Sequence, residues 1–232
     1  MSPSIAVVIP AAGVGKRMQS NIPKQYLPLC GKTVLEHTIE RFAGLAIVDK
    51  IVVAVGANDE YIQTLKDKLS DKVELVVGGK ERADSVLAGL QVLNAKQHTW
   101  VMVHDAARPC VLTADIVKLS EQVIAQKIGA ILASPVRDTM KRSDNQQQIQ
   151  HTVERECLWH AYTPQMFSTD LLTNAISQNL SNGQVITDEA SAMELAGHPV
   201  KLVEGSDTNI KITRPQDLKL AAIYLESQQN EN

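Results

Sequence analysis

Aromatic residues are scarce in this chain: two Phe, two Trp and four Tyr make up 3% of 232 residues. Its core must therefore be built from aliphatic side chains. The three cysteines, Cys30, Cys110 and Cys157, are odd in number and far apart, which argues against a disulfide framework or a Cys zinc site. No apolar run approaches the ~20 residues of a membrane span. Ile5 to Ile9 is too short for a signal core, so a cytoplasmic protein without a membrane partner is expected. A net charge of −3, from 23 Lys and Arg against 26 Asp and Glu, gives no support to a nucleic-acid partner. Acid is absent from residues 1–35, which hold Lys16, Arg17, Lys24 and Lys32. The rest of the chain carries 19 cations against 26 acids. A positive first segment on an acidic body suits a small polyanion held in one cleft; a solvated basic face is the alternative.

Two familiar phosphate-binding loops are also missing. After Gly13 and Gly15, Met18 stands where a Rossmann fingerprint needs its third glycine. The acid at the expected distance, Glu36, falls inside a helical pattern. Gly31-Lys32-Thr33 ends like a Walker A loop, but Tyr26 takes the place of its first glycine.

What is present is a β-branched run, Ile5 to Ile9, stopped by Pro10 and followed by Ala11, Ala12, Gly13 and Gly15. These residues have almost no side chain to keep a ligand from the main-chain N–H groups, and Lys16, Arg17 and Lys24 add positive charge. That combination points to a nucleoside triphosphate site. Further strands are expected at Ile51 to Val55, Val73 to Val77, Trp100 to Val103 and Ala130 to Ala133. Helices are expected at 34–43 behind a Thr33/Glu36 capping box, near 59–69, after an Asp84-Ser85 cap, and from Thr113. The alternation gives an α/β fold, a mostly parallel twisted sheet with helices on both faces. In such sheets ligands bind beyond the carboxyl ends of the strands, where the loops after the first, third and fourth strands place their glycines and charges.

Between about 137 and 158 the pattern turns charged and polar and reads as a protruding β-arm, either a mobile surface feature or a dimer contact. Globular patterning then resumes. Helices are expected at 168–180 and from Thr187-Asp188-Glu189 to near Gly197, and short strands at Val200 to Val203 and Asn209 to Ile212. A final helix is opened by Thr213, Pro215 and Gln216. With no repeat or linker, residues 1–232 read as a single domain.

Asp105, at a strand end on the cationic rim, is the candidate to hold Mg²⁺ against triphosphate oxygens; the alternative is a charge on the turn that follows. Arg108 can pair with Asp105 as a structural ion pair. His104 fits a packed, hydrogen-bonded histidine better than a base.

The strings PAAGVGKRM, PKQYL, GGKERADSVLAGL, VHDAARPC, PVRDTMKR, TDEAS and NIKITRPQDL, in this order over nearly the whole chain, closely resemble the 2-C-methyl-D-erythritol 4-phosphate cytidylyltransferase family. The resemblance implies a Rossmann-like nucleotidyltransferase fold, a homodimer formed by arm exchange, CTP and methylerythritol phosphate as substrates, and a divalent metal, Mg²⁺. It implies that Arg17, Lys24 and Asp105 are catalytic, with Asp105 also the metal ligand. CTP is assigned to Pro10, Ala11, Ala12, Gly13, Gly15, Gly79, Arg82, Asp84, Ser85, Ala106 and Lys211. The acceptor phosphate is assigned to Arg108, Thr139, Arg155, Thr163, Thr187 and Lys211, with Arg155 given across the dimer. Thr208-Asn209 stand before Ile210 where relatives carry an acid, so a role for Asp207, one step further back, stays open. Rival readings are a pentitol phosphate cytidylyltransferase such as the ribitol 5-phosphate enzyme, an NAD-dependent oxidoreductase, or a non-catalytic nucleotide-binding module. No fused cyclodiphosphate-synthase domain is expected.

Overall fold

The computed structural model describes residues 4–13, 18 and 22–230. Gly15, Lys16 and Arg17 lie outside them. The first strand, β1 (Ile5–Pro10), alternates its side chains between two buried faces. Ile5, Val7 and Ile9 pack on one, Ala6 and Val8 on the other. A small hairpin, β2 (Pro28–Leu29) and β3 (Lys32–Thr33), leads into α1 (Val34–Ala43). There Thr33 and Glu36 close the expected capping box, Thr33 Oγ1 accepting from Glu36 N at 3.2 Å and Glu36 Oε2 accepting from Thr33 N at 2.7 Å. β4 (Val48–Val55), α2 (Glu60–Leu65) and β5 (Val73–Val77) follow. The helix expected near 59–69 is thus shorter and ends in one 3₁₀ turn, Lys66–Lys68.

α3 (Arg82–Gln91) begins earlier than its expected Asp84-Ser85 cap. Glu81 is the N-cap, and Asp84, inside the first turn, reaches back to accept from Glu81 N at 3.0 Å. Ser85 serves a different group, its Oγ accepting from Gly79 N at 3.1 Å. Next come β6 (Trp100–Val103), α4 (Thr113–Gln126) and β7 (Ala130–Pro135). β8 (Met140–Ser143) and β9 (Ile149–Val153) pair antiparallel as the exposed arm.

One strand escapes the sequence reading: β10 (Trp159–Ser168), which runs antiparallel between β6 and β7. Its sequence, WHAYTPQMFS, alternates poorly, and its pairing with β7 is interrupted between Ala161 and Gln165 around Pro164. The last elements are α5 (Thr169–Ser181), α6 (Glu189–Leu195), β11 (Lys201–Glu204) and α7 (Pro215–Asn230). Residues 209–212, expected as a strand, are irregular: Ile212 N bonds Ala107 O at 2.8 Å and so joins the loop after β6. The opening of α7 is satisfied by Asp217, not Gln216; its Oδ2 accepts from Thr213 N, Thr213 Oγ1 and Arg214 N, each at 2.8 Å.

The seven-stranded sheet has the order β11-β7-β10-β6-β1-β4-β5 and is parallel except for β10. Leu35, Ile39 and Phe42 of α1 and Ile116, Leu119 and Val123 of α4 cover one face. Val86 and Leu90 of α3, Leu172 and Ile176 of α5, and Met193 of α6 cover the other. The α3 face is closely fitted. A Cβ on Gly89 would lie 2.5 Å from Val8 Cγ1, in the strand that leads into the small-residue loop. Gly89→Ala gains up to about 1 kcal/mol of helix propensity but overpacks a rigid, β-branched neighbour, which costs about 1–3 kcal/mol. A net loss of roughly 1 kcal/mol in urea unfolding is expected, and Gly89→Ala should cost less in a Val8→Ala background than in wild type. Equal stability of Gly89→Ala and wild type would show that α3 has room to move.

Candidate active site

Three strand ends meet at one rim. The loop after β1 is tied to the end of β4 by Ala11 N to Ala54 O at 2.7 Å, and Gly78 N bonds Val55 O at 2.7 Å beside it. A Cβ on Gly78 would stand 2.8 Å from Ala12 Cβ, and one on Gly79 would stand 2.2 Å from Asp84 Cβ. Glycine is required at both positions by the neighbours and not by the turn itself. The cleft between these loops is lined by Pro10, Ala11, Ala12, Gly13, Lys24, Gly79, Arg82, Ser85, Asp105, Ala106 and Lys211. All eleven were singled out in the sequence. Gln25, Lys80, Glu81 and Ala107 line it too and were not.

Asp105 is the electrostatic centre. Its carboxylate meets Arg82 Nε at 3.0 Å, Lys211 Nζ at 2.7 Å and Arg108 Nε at 3.5 Å. Burial alone pushes this acid toward its neutral form, but Arg82, Lys211 and Arg108 together hold it far below the usual carboxylate range. Arg82 is in turn gripped by Glu189, Nη1 to Oε1 at 2.6 Å and Nη2 to Oε2 at 3.0 Å. Burial opposes its charge, yet the two carboxylates raise its pKa above that of an ordinary arginine. Neither Glu189 nor Gln25 stood out as a site residue. Glu189 reads as an ordinary first-turn acid, and its burial depends on a partner 107 residues away. Glu189 lies in the TDEAS string and Gln25 in PKQYL, on which the family resemblance rests, but neither is given a role there.

Lys24 and Gln25 bridge two loops. Lys24 Nζ donates to Ile212 O at 3.1 Å, while Gln25 Nε2 donates to Ala11 O at 2.6 Å and Gly13 O at 3.1 Å. The carbonyls of the small-residue loop are thereby taken up from behind. His104 is fully buried against Phe42, ring centroids 4.9 Å apart. Nε2–H donates to Arg108 O and Nδ1 accepts from Thr163 Oγ1, both at 3.0 Å, a tautomer fixed by these partners. Burial pulls its pKa down to about 4, so it is neutral at pH 7. Thr163 Oγ1 also accepts from Asp105 N at 3.1 Å. These bonds hold the Asp105 loop and leave His104 no route to the cleft.

The residues assigned to the acceptor are dispersed. Arg108 is buried under the Tyr162 ring, 5.1 Å from its centroid, and donates to Asn209 O at 2.5 Å. Thr163 is buried, whereas Thr139 and Thr187 are exposed. Exposed Arg155 donates to Arg137 O at the root of the arm. Asp207, half-exposed, meets Arg137 Nη2 at 3.4 Å and Tyr162 Oη at 3.4 Å. In one chain only Lys211 of this set lines the cleft.

Among the described residues no cluster of three or more His, Cys, Asp or Glu side chains could cage a metal. Asp105 fits a different donor set, one carboxylate beside a polyanion that brings its own oxygens, which suits magnesium. Among the described residues no helix is long and apolar enough to cross a membrane. Among the described residues, a larger hollow of about 600 Å³ beside α2 and β5 has Lys66 as its one lining cation against Asp59, Asp71 and Glu74. That charge balance repels a triphosphate.

The family model described as IspD, 2-C-methyl-D-erythritol 4-phosphate cytidylyltransferase, matches residues 5–227. The chain is 53% identical over 229 residues to the protein of that name from Aliivibrio fischeri (strain MJ11), covering 98% of this chain and 96% of the relative. With that from Haemophilus influenzae (strain PittEE) the identity is 55% over 225 residues, covering 97% and 98%. The crystal structure of the Francisella tularensis protein of that name superposes with a TM-score of 0.81 at 38% identity, covering 95% of this chain and 99% of that one. The chain belongs to the 2-C-methyl-D-erythritol 4-phosphate cytidylyltransferase family.

Proposed function

We propose that the cleft around Asp105 is where this cytidylyltransferase performs its reaction. The enzyme transfers CMP from CTP to 2-C-methyl-D-erythritol 4-phosphate in the non-mevalonate route to isoprenoids. An oxygen of the acceptor phosphate attacks the α-phosphorus in line, and pyrophosphate leaves. The attacking group is already an anion at neutral pH, so no strong base is needed. That is consistent with a neutral, sequestered His104. Catalysis then rests on positioning and on neutralising the charge that spreads over the phosphoryl oxygens.

The observation that carries this reading is the meeting of Lys24, Lys211 and Arg82 with the loops at Ala11–Gly13 and Gly79 around one buried carboxylate. In it, the main chain at Pro10, Ala11, Ala12, Gly13, Gly79 and Ala106, with Asp84 and Ser85, holds the nucleotide. Gly15 and Arg17 join that loop by sequence. Lys24 faces the reacting phosphorus, and Arg17, to which the family resemblance gives a catalytic part, lies outside the described residues. Magnesium, when bound by Asp105, would neutralise triphosphate oxygens. Lys211 turns from Asp105 toward the incoming phosphates, and Thr139, Thr163, Thr187 and Arg108 shape the acceptor side. Asp207 stays without an assigned contact to substrate.

The arm suits a second copy of the chain. Its strands are almost wholly exposed, with Ile149 67% and Met140 36% accessible, a poor arrangement for a lone hairpin. Arm exchange in a homodimer covers it and carries Arg155 to the partner's acceptor site. Residues 1–232 act as one nucleotidyltransferase unit. The test is pyrophosphate release from CTP with methylerythritol phosphate, ribitol 5-phosphate or no acceptor. Release is expected with the first alone; equal rates with ribitol phosphate would reassign the acceptor.

A further inference from the structure

Glu189 is a buried charge that the transfer reaction, as derived above, does not use. Its side chain is 1% exposed, although it opens α6, where a carboxylate normally sits in water. It does not cap that helix. Asp188 Oδ1 accepts from Ser191 N at 2.9 Å, and Gln165 Oε1 accepts from Ala190 N at 2.8 Å. Gln165 Nε2 also donates to Asp188 Oδ2 at 2.9 Å, so the start of α6 is fixed without Glu189. Taking a carboxylate out of water costs several kcal/mol unless it is paired. Here it is paired with the two terminal nitrogens of Arg82, at 2.6 and 3.0 Å. The remaining nitrogen, Nε, faces Asp105 Oδ1 at 3.0 Å. A guanidinium held at both ends of its fork cannot rotate. Released, it would be free to turn that fork onto Asp105 and engage both of its oxygens.

We propose that Glu189 is a positioning residue for the cytidylyl transfer. It fixes the plane of Arg82 so that Arg82 offers Asp105 a single N–H, keeping the cleft open to the nucleotide. Glu189 also joins the start of α6, which carries Thr187 on the acceptor side, to the start of α3 on the nucleotide side. This role rests on the site assignment under Proposed function.

The test measures CTP binding by calorimetry with magnesium and no acceptor, beside the melting temperature, in wild type, Glu189→Gln and Glu189→Asp. The Asp variant keeps the charge but shortens the reach by one methylene, and so covers the case in which Gln impairs folding. The Kd for CTP is expected to rise about tenfold or more, in line with the loss of a charge-assisted hydrogen bond. In an Arg82→Ala background, Glu189→Gln should leave the Kd where Arg82→Ala put it and raise the melting temperature, since the carboxylate there is buried without its partner. CTP affinity equal to wild type in a folded Glu189 variant, with only the melting temperature moved, would reduce Glu189 to a structural ion pair. An effect on Kd that adds to that of Arg82→Ala would also overturn the proposal. Wild type that binds no CTP would instead defeat the site assignment itself.

Discussion

Lys24→Ala is expected to lower kcat by about 10³-fold, the scale of a cation aimed at a transferring phosphoryl group, while CTP affinity changes less than about tenfold. The split follows from placement. Lys24 lines the cleft and is held at 3.1 Å by the carbonyl oxygen of Ile212, the residue next to Lys211. Ground-state charge is already met by Arg82 and Lys211, so the lysine acts where negative charge grows. Turnover near wild type in this variant would remove it from the mechanism. The same variant tests the arm. In a heterodimer of Lys24→Ala and Arg155→Ala chains, one site carries both defects and the other carries neither, provided Arg155 acts across the interface. Random exchange of the two inactive proteins should therefore restore activity in about a quarter of the sites. No recovery after verified exchange would place Arg155 in its own chain's site, or outside the reaction.

Asp105→Asn is expected to lower both stability and turnover. It removes the carboxylate that Arg82, Arg108 and Lys211 surround at 3.0, 3.5 and 2.7 Å. The loss is uneven. Arg82 keeps Glu189, and Lys211, 38% exposed, can turn to solvent, but Arg108 is left with Asn209 O and the Tyr162 ring. About 3 kcal/mol, the lower end for breaking a buried pair, corresponds to roughly 10 °C in melting temperature for a chain of this size. Turnover at saturating magnesium should fall about 10²-fold or more, the scale of one lost electrostatic group in a preorganised site. Affinity for metal-free CTP should rise, because the cleft loses a negative charge and keeps its cations. That opposite sign separates an electrostatic effect from simple unfolding. Unchanged turnover would mean that Asp105 serves the loop alone.

The sequence exposed those parts of the site that depend on local pattern. Ile5–Pro10 is apolar and β-branched and is followed by residues too small to do anything but expose backbone, so both the strand and its loop could be read directly. Asp105 was readable because it follows a short apolar strand on the same rim. The capping box of α1 needs only Thr33 and Glu36, three residues apart. What stayed hidden depends on contacts between distant segments. β10 is buried between two strands from elsewhere in the chain, which lets Tyr162, Thr163 and Gln165 occupy positions that a periodic strand would not give them. The Asn209 to Ile212 stretch alternates like a strand, yet its hydrogen bonds go to Ala107 and Arg108 instead of to a sheet edge. Glu189 and Gln25 gain their roles from Arg82 and Ala11, across gaps of 107 and 14 residues.

A crystal structure of the protein with magnesium and CTP would show directly where the triphosphate binds. Phosphates are expected against the main-chain N–H groups of Ala12 and Gly13, with Lys24 and Asp105 around the same group and Lys211 moved off the carboxylate. A triphosphate seated in the hollow beside α2 and β5, with the Asp105 cluster undisturbed, would contradict it.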